Sequence, residues 1–220
     1  MNVPAAPYMP LFFDLTGRMC LVVGGGRIAE GRTRLLAAHG AVLRVVAPEI
    51  SEGLEEMAAN GRITDLRRRG YASNDLDDVF LALAATNDRD LNAKIADSAR
   101  ERGILCNVVD DPQACDVHIP AVVRRGDLAF AVSTGGASPA VTARVRARLE
   151  EVFGPEWDDL LALLGDLRAS TKQRYPEPAE RAAAVRGLLD DGRVLQLLRE
   201  GRTDEAARVA RLVLDLEGAV

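Results

Sequence analysis

Gly24-Gly25-Gly26 followed by Arg27, Ile28 and Ala29 fits the spacing G-x-G-x-x-A. Glycines at such positions permit a tight turn and let a pyrophosphate approach the backbone. A helix that starts there adds unpaired N–H groups and partial positive charge. The chemistry served is dinucleotide binding; the plainer reading is a tight strand-to-helix connection. The second strand of a dinucleotide site usually ends in an acid that holds the ribose hydroxyls. Val46-Ala47-Pro48 stands there instead, with Glu49 just beyond. No arginine marks that strand end for a 2′-phosphate, which favours NAD over NADP. Farther along, Thr86-Asn87-Asp88 and Asn107-Val108-Val109-Asp110-Asp111-Pro112 each close an apolar run. Thr86 either reaches a ligand edge or caps a helix. Asp110, and less so Asp111, is a candidate general base or metal ligand, against a turn before proline as the simpler account.

Other chemistries find less to work with. Among 28 cationic residues only Lys94 and Lys172 are lysine, so an amine nucleophile has few candidates. His118 could donate or take a proton, whereas His39 ends a helical stretch and suits a helix-terminus site. No HxxxH, HExxH or cysteine cluster suggests a resident zinc. Tyr-x-x-x-Lys and the G-x-S-x-G elbow are both missing. Cys20 and Cys106 sit in apolar runs and read as small core residues, and with Cys115 they form no disulfide framework.

The elements that must position these residues alternate. Met19–Val23, Val42–Ala47, Ile63–Leu66, Val79–Ala85 and Leu105–Val109 read as strands, the third as a polar edge strand. Ala29–His39, Glu52–Asn60 and Arg89–Arg102 read as the helices between them, with Gly40 and Gly103 as stops. Strands alternating with helices indicate a doubly wound, Rossmann-like parallel sheet covered on both faces. Leu128–Val132 is a later strand, and Ser138-Pro139 starts a helix to about Val152. Beyond Pro155 only helical spacing remains: Trp157–Leu167, Glu177–Leu189, Arg193–Glu200 and Asp204–Leu216. The apolar faces of Leu160–Leu167 and Val209–Leu216 exceed what a small tail would bury alone, which predicts a dimer built by the helical tail and the Ser138 helix; the competing reading is that these faces pack on one another.

Composition narrows the class. The 220 residues are 48% hydrophobic and 28% charged, a globular balance, with a net charge of −5 and 4% aromatics. Neither a basic nucleic-acid surface nor a base-stacking platform is expected. Met1–Leu15 lacks a basic start and a long apolar stretch, so no leader is expected, and Val79–Ala85 is too short to span a membrane. A cytoplasmic protein is the expectation.

The motifs together resemble one family. Pro10-Leu11-Phe12, Val22-Val23-Gly24-Gly25-Gly26 with Ala29, Val46-Ala47-Pro48-Glu49 and Ala84-Ala85-Thr86-Asn87-Asp88 occur in this order. Asn107–Pro112 and Ala131-Val132-Ser133-Thr134-Gly135-Gly136-Ala137-Ser138-Pro139 follow them. The same series is similar to precorrin-2 dehydrogenases, stand-alone or as the amino-terminal half of siroheme synthase. The resemblance implies NAD-dependent oxidation of the tetrapyrrole precorrin-2 to sirohydrochlorin. In many members it also implies insertion of ferrous iron, with no protein-held metal. It further implies a homodimer and gives Asp110 the catalytic role. NAD contacts would fall on Gly24, Gly25, Gly26, Arg27, Ile28, Pro48 and Glu49. Thr86 joins them from its position at a strand end. The implied organisation is an NAD-binding domain over residues 1–112, a dimerisation and active-site segment over 113–153, and a helical domain over 154–220. Two alternatives stand beside it. A non-enzymatic NAD-sensing module would accept the glycine loop but leave Asp110 and Ser133–Pro139 without a purpose. A small-acid dehydrogenase would call for a catalytic histidine in a second α/β domain.

Overall fold

The computed structural model describes residues 8–216. Residues 1–7, where the expectation of no leader partly falls, lie outside the described part. The chain forms two compact units, one ending at Ile119 and the other beginning at Pro120.

In the first unit β1 (Met19–Val23), α1 (Arg27–Ala38), β2 (Val42–Val46), α2 (Glu52–Ala59) and β3 (Asp65–Arg67) come first. They are followed by β4 (Leu81–Ala84), α3 (Arg89–Glu101) and β5 (Leu105–Val108). The strands pair in parallel in the order β3-β2-β1-β4-β5. Alternation along β1 shows why such strands read as continuous apolar runs. Leu21 and Val23 join one core with Ile95, Ala96 and Ala99 of α3. Cys20 and Val22 join the other with Ala29 and Leu36 of α1 and Leu54 and Met57 of α2. Ser51 caps α2 and Asp88 caps α3, each accepting a first-turn N–H. Strand order reverses between β1 and β4, the switch point at which open α/β sheets bind ligands.

The expected polar edge strand exists, but at Asp65–Arg67 rather than Ile63–Leu66. Ile63 is buried against the second core instead.

In the second unit β6 (Ala121–Arg125) and β7 (Leu128–Val132) form an antiparallel hairpin with Val123 opposite Phe130. α4 (Pro139–Val152) follows, capped by Ser138 with Pro139 at its first position. The helices α5 (Glu156–Asp166), α6 (Arg168–Arg174), α7 (Pro178–Asp191), α8 (Arg193–Arg199) and α9 (Thr203–Val213) complete it. Sequence reading missed β6 and α6. The apolar faces that prompted a dimer are used internally: Leu160, Leu163, Leu167, Ala210, Leu214 and Leu216 all enter one buried cluster. Among the described residues no helix is long and apolar enough to cross a membrane.

Candidate active site

β1 runs straight into Gly24, whose φ of 131° is a conformation side chains rarely adopt. A β-carbon there would collide with the Ala85 carbonyl just past β4. At Gly25 a β-carbon would strike the Glu49 carbonyl and lie 2.9 Å from the Ala47 β-carbon. The Gly24 N–H donates to the Val46 carbonyl and the Ser51 N–H donates to the Gly25 carbonyl, both at 2.9 Å. These two glycines therefore pin the turn between the ends of β2 and β4. Gly26 is different. Its φ is −87° and a β-carbon would meet nothing within 4 Å. It caps α1 with no side chain, so no side-chain oxygen competes for the first N–H groups of the helix. The open space in front of α1 is the cradle a pyrophosphate needs. Glu30, one turn in, accepts the Ser51 hydroxyl at 2.7 Å and Arg34 at 2.9 Å. The bonds from Ser51 and Arg34 hold its carboxyl below the usual range and tie α1 to the start of α2.

A cavity of about 990 Å³ opens over this turn. Gly24, Gly25, Gly26, Arg27, Ile28, Pro48, Glu49, Thr86 and Asp110 all line it, so the expected cofactor positions and the catalytic candidate meet in one crevice. Arg89 and Asn92 also line a recess of about 270 Å³ beside it, together with Val108–Asp111. The Thr86 hydroxyl donates to Asn92 Oδ1 at 2.7 Å and accepts the Asp88 N–H at 3.1 Å. Asn92 Nδ2 returns a bond to the Thr86 carbonyl at 3.0 Å. Thr86 is thus a turn former and a lining residue at once. After β5 the two aspartates part company. Asp111 Oδ1 accepts the N–H groups of Gln113 and Ala114 at 3.2 and 3.4 Å and caps a short turn. Asp110 has a φ of 62°, is exposed, and lines both the crevice and its recess. Cys115 Sγ accepts the Val108 N–H at 3.1 Å and donates to the Asp111 carbonyl at 3.2 Å, fixing the chain on both sides of Asp110.

Comparisons with known proteins bear on this geometry. A family model described as NAD(P)-binding matches residues 11–121. Models described as sirohaem biosynthesis protein central and sirohaem synthase dimerisation region match residues 125–151 and 156–214. The chain belongs to the siroheme-synthesis family of NAD(P)-binding proteins. Among its relatives in this family, a siroheme synthase of Azotobacter vinelandii is 43% identical over 202 residues, 92% of this chain and 43% of that one. A siroheme synthase of Pseudomonas fluorescens is 41% identical over 212 residues, 96% of this chain and 45% of that one. The chain thus spans less than half the length of the curated relatives it matches. The solved structure of SirC, a precorrin-2 dehydrogenase, superposes with a TM-score of 0.75 at 28% identity, covering 93% of this chain and all of that one.

Within this family member the remaining sequence candidates fall outside the crevice. His118 lies beyond its lining, with its ring 4.1 Å from that of Tyr8 and a buried Nε2 that has no partner among the described residues. His39 Nδ1 stands 2.8 Å from the Leu35 carbonyl at the end of α1, a helix-end position. Cys20 and Cys106 are fully buried, and burial pushes their thiols up to about 11 and about 12, so both are inert core residues at neutral pH. One neighbour of the site was not read from the sequence. Sequence reading found no arginine at the end of β2, yet the sheet places Arg67 level with Val46, and Ala47 N–H donates to the Arg67 carbonyl at 3.1 Å. The signal was the run Arg67-Arg68-Arg69 before Gly70, which the pairing of β3 with β2 brings beside the end of β2.

Proposed function

We propose that this protein oxidises precorrin-2 to sirohydrochlorin with NAD as acceptor and inserts ferrous iron at the same site. The observation that carries the reading is the convergence of the glycine turn and Asp110 on one crevice at the sheet's switch point. The family match and the likeness to SirC support it. Gly25, Gly26, Arg27 and Ile28 hold the pyrophosphate through backbone N–H groups, and Gly24, whose own N–H goes to Val46, shapes the turn beneath it. Pro48 and Glu49 meet the adenosine ribose, and Thr86 borders the path from the turn toward Asp110. Bound there, NAD supplies a hydride acceptor.

Asp110 does the work that the protein itself contributes. Loss of a hydride from a macrocycle carbon is balanced by loss of one proton, and an ionised carboxylate within reach accepts it. Iron entry displaces two pyrrole N–H protons, and the same carboxylate can relay them to solvent. Arg89, exposed on the rim of the recess that Asp110 lines, suits a substrate carboxylate. A homodimer is part of the proposal, supported by the dimerisation-region match and by unpartnered valines on α4. A cytoplasmic location suits its three free thiols.

The test is spectroscopic. Precorrin-2 and NAD are mixed with the protein, and the absorption spectrum is followed; sirohydrochlorin should appear with stoichiometric NADH. Ferrous iron is then added without air, and siroheme should form faster than in a protein-free control. NADH binding without any change in precorrin-2 would leave the nucleotide-sensing module as the correct reading.

A further inference from the structure

Asp75 lies in a short turn between β3 and β4 and has no exposed surface, yet it carries a charge. Its carboxylate takes two bonds from Arg69, at 2.8 and 2.6 Å, one from Arg67, and the Ala72 N–H at 2.7 Å. Arg67 also donates to Asp65 at 2.7 Å. Arg44 of β2 completes the cluster, donating to Asp65 at 2.7 Å and to the Asp75 carbonyl at 2.8 Å. Fold stability alone is a poor reason for such a cluster, since buried ion pairs often contribute less than the apolar residues that could replace them.

Its position suggests a different reason. Arg67 pairs with Val46 at the end of β2, and Gly70 and Tyr71, just after the arginines, line the crevice together with Pro48, Glu49 and Ser51. The arginines therefore lie at the sheet edge where dinucleotide sites choose between a ribose hydroxyl and a 2′-phosphate, and where an arginine accommodates the phosphate. Arg68 leans the other way, onto Glu55 of α2 at 2.5 Å. Arg69 is still 42% exposed, so only its bond to Asp75 and its Nη1 contact with the Gly70 carbonyl hold it back.

We infer that Asp75 sets the cofactor choice: by holding Arg67 and Arg69 it withholds from a 2′-phosphate the cations that β3 delivers, so that NAD is bound in preference to NADP. Asp75 touches neither nucleotide and is a positioning residue. The inference rests on the reading of the crevice as a nucleotide site, and the experiment separates the two.

NADH and NADPH are titrated by fluorescence into the wild type, Asp75→Asn, and Asp75→Asn with Arg69→Gln. The wild type should bind NADH at least about tenfold more tightly than NADPH. Asp75→Asn should improve NADPH binding about tenfold, the scale of one charge-assisted hydrogen bond, and change NADH binding less than about threefold. Adding Arg69→Gln should remove the gain, and so should high salt. A merely structural staple would weaken both nucleotides together, and that result, or unchanged NADPH affinity, overturns the inference. Should circular dichroism show that Asp75→Asn does not fold, Asp65→Asn, which frees Arg67 from its more accessible acid, must shift the NADPH-to-NADH ratio in the same direction; an unchanged ratio is equally fatal. A wild type that binds NADH but does not discriminate against NADPH overturns this inference alone, whereas one that binds neither overturns the crevice reading as well.

Discussion

Asp110 and Asp111 are the same side chain one position apart, and backbone geometry separates their roles. Asp111 spends its carboxylate on two N–H groups of the next turn, while the left-handed φ of Asp110 sets it at the crevice. Asparagine tolerates that conformation as aspartate does, so Asp110→Asn removes charge and leaves the turn in place. Single-turnover oxidation of precorrin-2 should slow by about 10²- to 10⁴-fold in this variant while NADH affinity holds; wild-type rates would send the proton elsewhere. The sequence made Asp110 visible as a carboxylate after an apolar run, but not its division of labour with Asp111, which depends on φ and on Cys115. The glycines separate in the same way. Gly26→Leu should keep its melting temperature, because its side chain enters open space, and yet lose NADH affinity by at least about tenfold. Gly25→Ala should instead lose about 1–3 kcal/mol of stability in a denaturant titration, since its methyl group meets the Glu49 carbonyl. The motif G-x-G-x-x-A names Gly24 and Gly26, leaves Gly25 open, and does not say which glycine faces the ligand.

At the scale of elements, legibility followed burial. β1, β2, β4 and β5 are buried on both faces and announce themselves as apolar runs. β3 is polar at two of three positions and β6 at two of five, and they lie at an edge and in a two-stranded ribbon. Their pairing, not their composition, makes them strands. The Gly126-Asp127 pair before Leu128 was the available hairpin signal for β6, with Gly126 at a φ of 55°. The connection after β3 depends on Asp75, and its stability has a definite pH signature. Burial pushes the Asp75 carboxyl up, but the bonds from Arg69, the Ala72 N–H and Arg67 outweigh this and bring it from 3.8 down to about 2. A carboxyl lowered by folding stabilises the protein above its unfolded value and stops doing so as pH falls through its folded value. The difference in stability between wild type and Asp75→Asn should therefore be constant above about pH 4 and close as pH falls toward 2. Denaturant titrations across that range will detect it, and a gap that persists at pH 2 would place the stabilisation elsewhere.

At the scale of the molecule, the question is what completes the second unit. The helices α5–α9 possess their own core around Leu160, Leu188, Val194 and Leu214. The hairpin and α4 do not. α4 has no buried residue, and a two-stranded ribbon is marginal by itself. Val141, Val145 and Val152 are 52%, 41% and 44% exposed, and their spacing of four and seven places them on one stripe of the helix. Sequence reading expected the dimer from the Ser138 helix, which is α4, together with the tail faces Leu160–Leu167 and Val209–Leu216, because apolar spacing alone does not show which faces find partners within the chain. With most of those faces consumed, the stripe on α4 is an apolar surface open to a second copy. Replacing Val141 and Val145 with glutamate places two charges on that stripe and should turn a dimer into a monomer in sedimentation at micromolar concentration. The core of α5–α9 is untouched, so the variant should stay helical by circular dichroism. NADH affinity should also survive, because every residue lining the crevice lies between Val23 and Asp110 of one chain. Oxidation of precorrin-2 should fall if the substrate spans two copies and persist if one copy suffices. A wild type that sediments as a monomer, or a double variant that remains a dimer, would remove α4 from the interface.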